Sequence, residues 1–439
     1  MDLQLGPLDW GYKTEPQAGR ACLGFTGGRC NWPRGRVLGG TSAINYMLYV
    51  RGNREDYDRW EAQGNPGWGY PQVLPYFKKS EDNLNPYLAS SPYHGTGGPL
   101  TVQEVPWRTP LATAFLEAGQ EMGFQIRDSN GRQQIGFMLP QATVRGGSRC
   151  SSARAFLRPV RSRENLHILL NSRVLRVLIS EETKTAYGVR LVRRGRVHTV
   201  LTTREVILSA GTLGSAHLLL LSGVGPATHL HSLGIPVLRD LPVGENLQDH
   251  YGTGALTFTL EAPLSLRQQR YENLPSFLQY FLWGSGPLTS LGGVEGLAWV
   301  NSKFSNASQD WPDLQLAFIS GSPASDGGRQ VHRVLLPPPA SGPPGPGYRA
   351  GHVAVLPTPG GGRHLVRPGD PPSPQVQGQA QPPHQEPLRQ TCLRGRLLHT
   401  PARHQGAGGG GQVCAGPGPD QGLEAPGDKI LGRCGDAWL

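Results

Sequence analysis

The sequence lacks the features that define several large classes of protein. None of its hydrophobic runs approaches the roughly 20 consecutive apolar residues of a membrane-spanning helix, and residues 1–16 contain no apolar stretch of the signal-peptide type. Six cysteines in 439 residues are too few for a disulfide scaffold. No basic run typical of nucleic-acid binding is present, although the net charge is +10. We therefore expect neither a transmembrane segment nor a nucleic-acid partner, and the compartment stays open.

Glycine and proline are abundant and unevenly distributed. The chain has 61 Gly and 40 Pro. Of these 101 residues, 40 lie within 331–439, a stretch with only two aromatic residues. Beyond Arg333 the apolar residues follow neither a helical nor a strand period. Such a composition cannot offset the conformational entropy lost on folding. The sequence therefore predicts a folded body followed by a low-complexity, disordered Gly/Pro-rich tail at 334–439.

The body predicts a mixed α/β fold. Apolar residues between 111 and 122 follow helical spacing, Thr109 stands at the capping position and Gly123 follows the last turn, which predicts a helix. Between 166 and 208 the pattern changes to short runs rich in β-branched residues, which predict four strands. These runs are HILL, RVLRVLI, YGVRLVRR and VHTVLTTREVIL.

The last of these runs is followed by a glycine turn and a helix. It leads through Ser209, Ala210 and Gly211 into the apolar stretch 215–221, which ends before Gly223. A strand, a glycine turn and a helix in this order form half of a nucleotide-binding unit. Another candidate ligand site is residues 35–58, GRVLGGTSAINYMLYVRGNREDYD, where paired glycines would let a ligand approach the backbone. On the residues alone, a glycine turn before a buried helix remains the alternative.

The 35–58 run resembles the first signature of the glucose–methanol–choline (GMC) oxidoreductases, flavoenzymes that oxidise alcohols with FAD. Three further stretches resemble the same family in the same order. They are GGSRCSSARAFLRP at 146–159, SAGTLGSAHLLLLSGVGP at 209–226 and VGENLQDH at 243–250. The resemblance extends from about residue 8 to 333 and is strongest to the insect glucose dehydrogenase branch of the family.

This resemblance implies an α/β fold of two discontinuous domains. An incomplete Rossmann-like FAD-binding domain would comprise residues 1–95 and 150–255. An α+β substrate domain, with an antiparallel sheet over the flavin, would comprise 96–149 and 256–333. The disordered tail would occupy 334–439.

The resemblance also implies the residues that contact the cofactor. In the family, the residue between Arg and Leu of the G-R-x-L-G-G run touches the flavin, the last glycine of that run lies close to it, and an Asn with the three residues after it lines its side. A valine in a later strand packs against the adenine. The cofactor-binding residues implied in this sequence are Val37, Gly40, Asn45, Tyr46, Met47, Leu48 and Val174. Without the resemblance, Val37 and Val174 would be interpreted as ordinary core residues.

Two departures from the family pattern concern the ends of the chain. No G-x-G-x-x-G turn for the FAD pyrophosphate precedes Gly35, so the chain is expected to begin about a hundred residues into the family pattern. No H-P-x-G-T segment, which provides the catalytic base in the family, follows residue 333, so no catalytic residue is assigned. Composition changes so abruptly there that the sequence suggests two hypotheses, a change of reading frame or an intron read as coding sequence.

Two functions therefore remain open. The first is FAD-dependent oxidation of the CH–OH group of a small alcohol or sugar, with electrons passed to a separate acceptor. The alternative is a catalytically inactive product, truncated or frame-shifted, that at most binds a partner. The resemblance allows an extracellular location.

Cysteine and histidine spacing adds little to this assignment. Cys22 and Cys30 bracket a short loop that a disulfide could close if the chain is exported, and a reduced buried pair fits equally well. In the tail, only the pair His399 and His404 has zinc-type spacing, so no metal site is expected.

Overall fold

A computed structural model of the protein describes residues 3–16, 21–250, 252–306, 308–322, 325 and 350–357. Most of the predicted tail, including the histidine pair, lies outside these residues. Eight α-helices occur in the described part. They are α1 (Arg54–Ala62), α2 (Tyr70–Ser80), α3 (Pro86–Ala89), α4 (Pro110–Glu121), α5 (Gly211–Leu221), α6 (Ala227–Ser232), α7 (Gln268–Tyr271) and α8 (Leu274–Trp283).

Fifteen strands occur in the same residues, and eight of them precede residue 150. These are β1 (Tyr12–Lys13), β2 (Asn31–Trp32), β3 (Glu81–Asn83), β4 (Leu100–Glu104), β5 (Gly136–Met138), β6 (Gln141–Ala142), β7 (Val144–Arg145) and β8 (Ser148–Arg149). The later strands are β9 (Ser172–Ile179), β10 (Ala186–Arg193), β11 (Arg196–Leu201), β12 (Thr253–Thr259), β13 (Val294–Val300), β14 (Leu314–Ile319) and β15 (Ala350–Pro357).

The largest sheet is antiparallel, as the family resemblance predicts. Its strand order is β12-β15-β14-β13-β5. The register places Ala298 of β13 opposite Leu316 of β14 on one side and Phe137 of β5 on the other. The five central residues of β13 are buried, because helix α4 covers one face of the sheet and a second apolar cluster around Trp299 covers the other.

One strand of this sheet lies within the predicted tail. β15 pairs with β12 and with β14, where Val355 stands opposite Leu316. The sequence did not predict this strand, because the high glycine and proline content of 331–439 as a whole indicated a disordered tail. AGHVAVLP contains a short apolar run with β-branched valines, which is compatible with a strand once two neighbouring strands provide hydrogen-bond partners.

A second sheet confirms part of the strand prediction between 166 and 208. The runs RVLRVLI, YGVRLVRR and VHTVL form β9, β10 and β11 of a three-stranded antiparallel sheet. The prediction was wrong for HILL at 167–170 and for residues 202–208, which are irregular. Leu169 is 50% exposed and Ile207 74% exposed. Neither run pairs with a strand among the described residues, and an apolar run without a hydrogen-bonding partner does not form a ladder.

The helix after these strands is confirmed. α5 begins at Gly211, and Gly223, with φ of 86°, follows its last turn. The hydroxyl of Ser222 accepts a hydrogen bond from the backbone N–H of Val177 in β9 at 2.8 Å. The helix is thereby attached to the three-stranded sheet.

Helix α4 confirms the predicted limits but not the predicted cap. Thr109 occupies the N-cap position, yet its hydroxyl makes no capping bond and donates instead to the carboxylate of Glu295 in β13. The backbone N–H of Thr109 also donates to Glu295, at 3.0 Å. The start of the helix is therefore held by the sheet rather than by its own first turn.

Among the described cysteines, Cys22 and Cys30 form a disulfide, with their Cα atoms 5.3 Å apart, and Cys150 is free and buried. This selects the first of the two alternatives left open by the sequence. No helix in the described part is long and apolar enough to cross a membrane.

The contact between α4 and the sheet generates a test of the packing. A Cβ atom added at Gly119 would lie 2.5 Å from the ring of Phe137. We expect Gly119→Ala to lower the free energy of unfolding by about 1–3 kcal/mol, because overpacking outweighs the better helix propensity of alanine. Urea denaturation measures the change, with exposed Glu117→Ala on the same helix as control. Unchanged or increased stability of Gly119→Ala would contradict the packing described here.

Candidate functional site

The paired glycines of the 35–58 run form a tight turn. Gly39 and Gly40 have φ of 94° and 57°, a region that favours glycine, and a 3-10 turn follows at Gly40–Ala43. A Cβ atom at Gly39 would lie 3.1 Å from the Cβ of Ala153, whereas one at Gly40 would meet no atom within 4 Å. Gly39 is therefore packed against the protein, and Gly40 borders open space that a ligand can occupy.

Two serines bring the first and second motif runs together. The hydroxyl of Ser42 donates to the Gly39 carbonyl at 2.6 Å and accepts from the backbone N–H of Ser152 at 2.9 Å. The hydroxyl of Ser152 donates to the same carbonyl at 3.0 Å. The turn is thus held by a residue 110 positions further along the chain.

Arg149 holds the segment after the turn. Its Nη1 donates to the carbonyl oxygens of Ser42 and Asn45, at 3.1 and 2.7 Å, and to Oδ1 of Asn45 at 2.9 Å. Burial lowers the pKa of the guanidinium. The Asn45 amide oxygen also accepts from the backbone N–H of Met47 at 3.1 Å, so its side chain has one orientation.

Residues 47–49 then run beside 141–143. The carbonyl of Met47 accepts from the N–H of Thr143 and the N–H of Tyr49 donates to the carbonyl of Gln141, both at 2.9 Å. Met47 and Leu48 pack on a buried apolar cluster formed by Ala142, Val144 and Leu291. Tyr46, in contrast, is 39% exposed. Within this segment, Met47 and Leu48 therefore belong to the core, and Tyr46 lies on the accessible side.

Six of the seven implied cofactor-binding residues therefore lie on one continuous segment, from Val37 to Leu48. The seventh, Val174, lies in β9 opposite Leu191 of β10. Arg34 connects the two regions, because its guanidinium donates to the carbonyl of Ala210 immediately before α5, the helix attached to β9. Their contact with FAD stays a prediction.

A histidine beside Arg34 has an unused polar atom. Nε2 of His217, in α5, is buried and has no hydrogen-bond partner within the described ranges. Burial, followed by the nearby charges of Arg34 and Arg173, lowers the pKa of this imidazole. Two cations and an unpartnered ring nitrogen form an environment that suits an anionic or hydrogen-bonding group.

The other end of the 45–51 segment enters a buried charge cluster, formed by Arg51, Glu81, His94 and Asp128. Arg51 Nη2 lies 2.6 Å from Glu81 Oε2, His94 Nδ1 lies 2.8 Å from Glu81 Oε1, and His94 Nε2 lies 2.7 Å from Asp128 Oδ2. The side chains of Glu81 and His94 are fully buried. Two cations and two carboxylates alternate, so the cluster is neutral when His94 is protonated.

The pKa values favour this charged arrangement. Burial disfavours the imidazolium of His94, but hydrogen bonds to Asp128 and Glu81 outweigh burial and raise its pKa to about 9. Burial likewise opposes ionisation of Glu81, but His94 and Arg51 hold its pKa below the usual value. The backbone N–H of Arg51 also donates to Oδ1 of Asn130 at 2.8 Å, and the backbone N–H of Asn130 donates to Oδ1 of Asp128 at 3.0 Å. These two bonds join the segment to the Asp128 end of the cluster.

Sequence reasoning assigned no role to Arg149, Ser152 or His94. Arg149 and Ser152 lie in the GGSRCSSARAFLRP run, so the motif itself was the available signal. His94 had none, because its partners Glu81 and Asp128 are 13 and 34 positions away and follow no ligand or catalytic spacing.

Comparison with known proteins places this architecture in a family. The sequence matches the family model described as GMC oxidoreductase over residues 17–252. Glucose dehydrogenase (FAD, quinone) of Drosophila melanogaster is 46% identical over 317 residues, which cover 71% of this chain and 49% of that protein. Oxygen-dependent choline dehydrogenase of Rhizobium johnstonii is 39% identical over 338 residues, 74% of this chain and 58% of that protein.

A solved structure agrees with these sequence relatives. Pyridoxine 4-oxidase from Mesorbium loti has a TM-score of 0.62 and 29% identity, covering 81% of this chain and 61% of that chain. Because the family match extends over more than half of the residues, the protein belongs to the GMC oxidoreductase family, as its motifs predict. The chain spans about half the length of the insect relative.

The contacts of Arg149 predict a specific loss of stability. We expect Arg149→Met to lower the free energy of unfolding by about 2 kcal/mol or more, because three oxygens that accept from one guanidinium lose a charged donor. Urea denaturation of the variant measures this change. Exposed Arg190→Met in β10 is the control, and equal effects of the two substitutions would show that the contacts of Arg149 do not hold the turn.

The charge cluster predicts a pH dependence. The folded-state pKa of His94 lies above its ordinary value of 6.5, so its stabilisation, roughly 3 kcal/mol, is complete below pH 6.5 and is lost as pH rises through about 9. His94→Gln should therefore be less stable than the wild type at pH 7, and the difference should shrink at pH values above about 9. Denaturation across this range, with exposed His198→Gln as control, tests it. A difference independent of pH would exclude a protonated His94.

Proposed function

We propose that the chain binds FAD and that it contributes to oxidation of the CH–OH group of an alcohol or sugar. The observation that carries this proposal is the glycine turn. It is ordered by Ser42, Ser152 and Arg149, yet Gly40 borders open space. A turn held this tightly, with one glycine left uncovered, suits close approach of a planar ligand to the backbone.

The residues present fit this cofactor. Val37, Gly40 and the segment 45–48 would line the flavin, and Val174 would contact the adenine. His217 and its neighbouring cations Arg34 and Arg173 would suit the polar, anionic part of the molecule. We also propose that the chain is divided into an FAD-binding and a substrate domain, as the sequence predicts.

Bound FAD supplies the acceptor for the hydride that leaves the substrate carbon. The chain's own residues would position the flavin. Arg149 and the Asn45 amide fix the wall beside the flavin, and Met47 and Leu48 anchor that wall in the core. Tyr46 is partly exposed, with its ring packed on Gly292, and would be the side chain of this segment that faces a substrate. No residue is assigned as the base for the hydroxyl proton.

The substrate class comes from the relatives. Two of them are named for glucose and choline, both small molecules that carry hydroxyl groups, and their names differ in the electron acceptor, quinone or oxygen. We propose a small hydroxylated substrate and a separate acceptor of unspecified type for this chain. No finding specifically supports the alternative of a truncated or frame-shifted inactive product.

Visible absorption after FAD addition and desalting tests the proposal. We expect the wild-type chain to retain flavin absorption and Gly40→Val to lose it, because the new side chain fills the open space beside the turn. Gly195→Val in the β10–β11 hairpin is the matched control. Gly195 also has positive φ, 72°, and no atom near its added Cβ. A colourless wild type, or equal retention by Gly40→Val, would contradict the proposal.

A further inference from the structure

Helix α8 has its apolar side turned outward. Positions 274, 277, 278 and 281 share one helical face. The exposed large side chains of the helix are Leu274, Phe277, Leu278, Phe281, Leu282 and Trp283. Phe281 is 77% exposed and Trp283 71% exposed, while the polar Ser276 is buried. A surface helix of a globular protein normally has the opposite arrangement.

The polar side of α8 is held by the protein. Asn273 caps the helix by accepting from the N–H of Ser276 at 3.0 Å, and Tyr280 Oη lies 3.5 Å from Oγ of Ser148 in β8. Gly147 packs directly on Gly284, since a Cβ atom at Gly147 would lie 2.1 Å from the Gly284 carbonyl oxygen. The helix cannot turn its apolar side inward without losing the contacts of Tyr280 and Gly284 with the β7–β8 hairpin.

An arginine-lined cleft begins on the same β7–β8 hairpin. It is bordered by Arg145, Arg154, Arg158, Pro159 and Arg161. No ion pair joins these arginines to a carboxylate in the described part of the chain. The cleft is therefore a concentration of uncompensated positive charge.

Two of these arginines are held in place. Arg145 donates to Oγ1 of Thr101 and to the carbonyl of Pro99, both at 2.7 Å. Arg154 donates to the carbonyl of Ser148 at 3.4 Å, and Ser148 is the residue whose hydroxyl lies beside Tyr280. The arginine cleft and the inner, polar side of α8 therefore share a neighbour, Ser148.

We propose that α8 and the arginine cleft form a docking face for a membrane surface that contains anionic lipids. An uncharged helix with exposed Phe, Leu and Trp side chains has the chemistry of an interfacial helix, and adjacent arginines attract anionic headgroups. A second copy of the chain fits less well, because a two-fold contact across α8 would bring two uncompensated arginine clefts towards each other.

Sedimentation of the full chain with lipid vesicles tests the proposal. We expect binding to phosphatidylcholine vesicles that contain phosphatidylserine to be on the order of 100-fold tighter than to phosphatidylcholine alone, and to weaken with salt. Equal affinity for both vesicles, or no binding to either, would overturn the proposal. So would a stable dimer in solution that dissociates on Phe281→Ser, because α8 would then be a contact between copies.

Matched variants test the two parts of the face separately. Phe281→Ser should weaken vesicle binding by about 10-fold or more, and Ile207→Ser, which removes an equally exposed side chain elsewhere, should not. Arg158→Gln with Arg161→Gln should weaken it by about 25-fold, since each basic residue contributes about five-fold. The control is Arg194→Gln with Arg196→Gln at the β10–β11 turn. Comparable losses in the controls would overturn the proposal, and unchanged thermal unfolding of each variant verifies folding.

Discussion

Two arginines hold the segment between residues 42 and 51 at its ends, and the candidate site depends on both. Arg149 donates to Ser42 and Asn45 at the beginning, and Arg51 pairs with buried Glu81 at the end. Arginine suits both positions because one planar guanidinium can satisfy several oxygens whose orientations are already set. Between these points the backbone bonds to 141–143 fix the side-chain directions.

Along this short segment, the residues proposed to bind a ligand differ from the residues that stabilise the fold. Gly40 and Tyr46 remain accessible, while Met47 and Leu48 belong to an apolar cluster and Arg51 to a buried ionic one. Breaking a buried ion pair leaves an uncompensated charge, so such a cluster tolerates little movement. The wall proposed to face the flavin is therefore held by the protein's own contacts, and such preorganisation lowers the entropy lost on binding.

The sequence predicted more of the fold than of the contacts that hold the candidate site in place. Helix α4, helix α5 and strands β9 to β11 follow from periodicity and turn residues, since each contains its own local signal. Residues 202–208 show a strand pattern, but a strand also needs a partner, which local sequence does not reveal. β15 is the reverse case, a strand that was not predicted. The glycine and proline around its short apolar run indicated a disordered tail instead.

The motif runs identified the segment that contains the candidate site, but not the contacts that hold it. Ser152 and Arg149 stand more than 100 positions from the residues they bind, and His94 joins two carboxylates with no characteristic spacing. Such contacts arise only when distant segments fold together. Family resemblance identified the runs, and tertiary structure supplied the physical reason that two of them occur together.

Hydrogen exchange of the backbone amides with and without FAD tests whether residues 37–48 form a wall of the cofactor site. We expect added FAD to slow exchange at residues 37–48 and to leave the exposed strand β11, residues 196–201, unchanged. Unaltered exchange at 37–48, or protection confined to other parts of the chain, would contradict the claim that this segment is the cofactor wall.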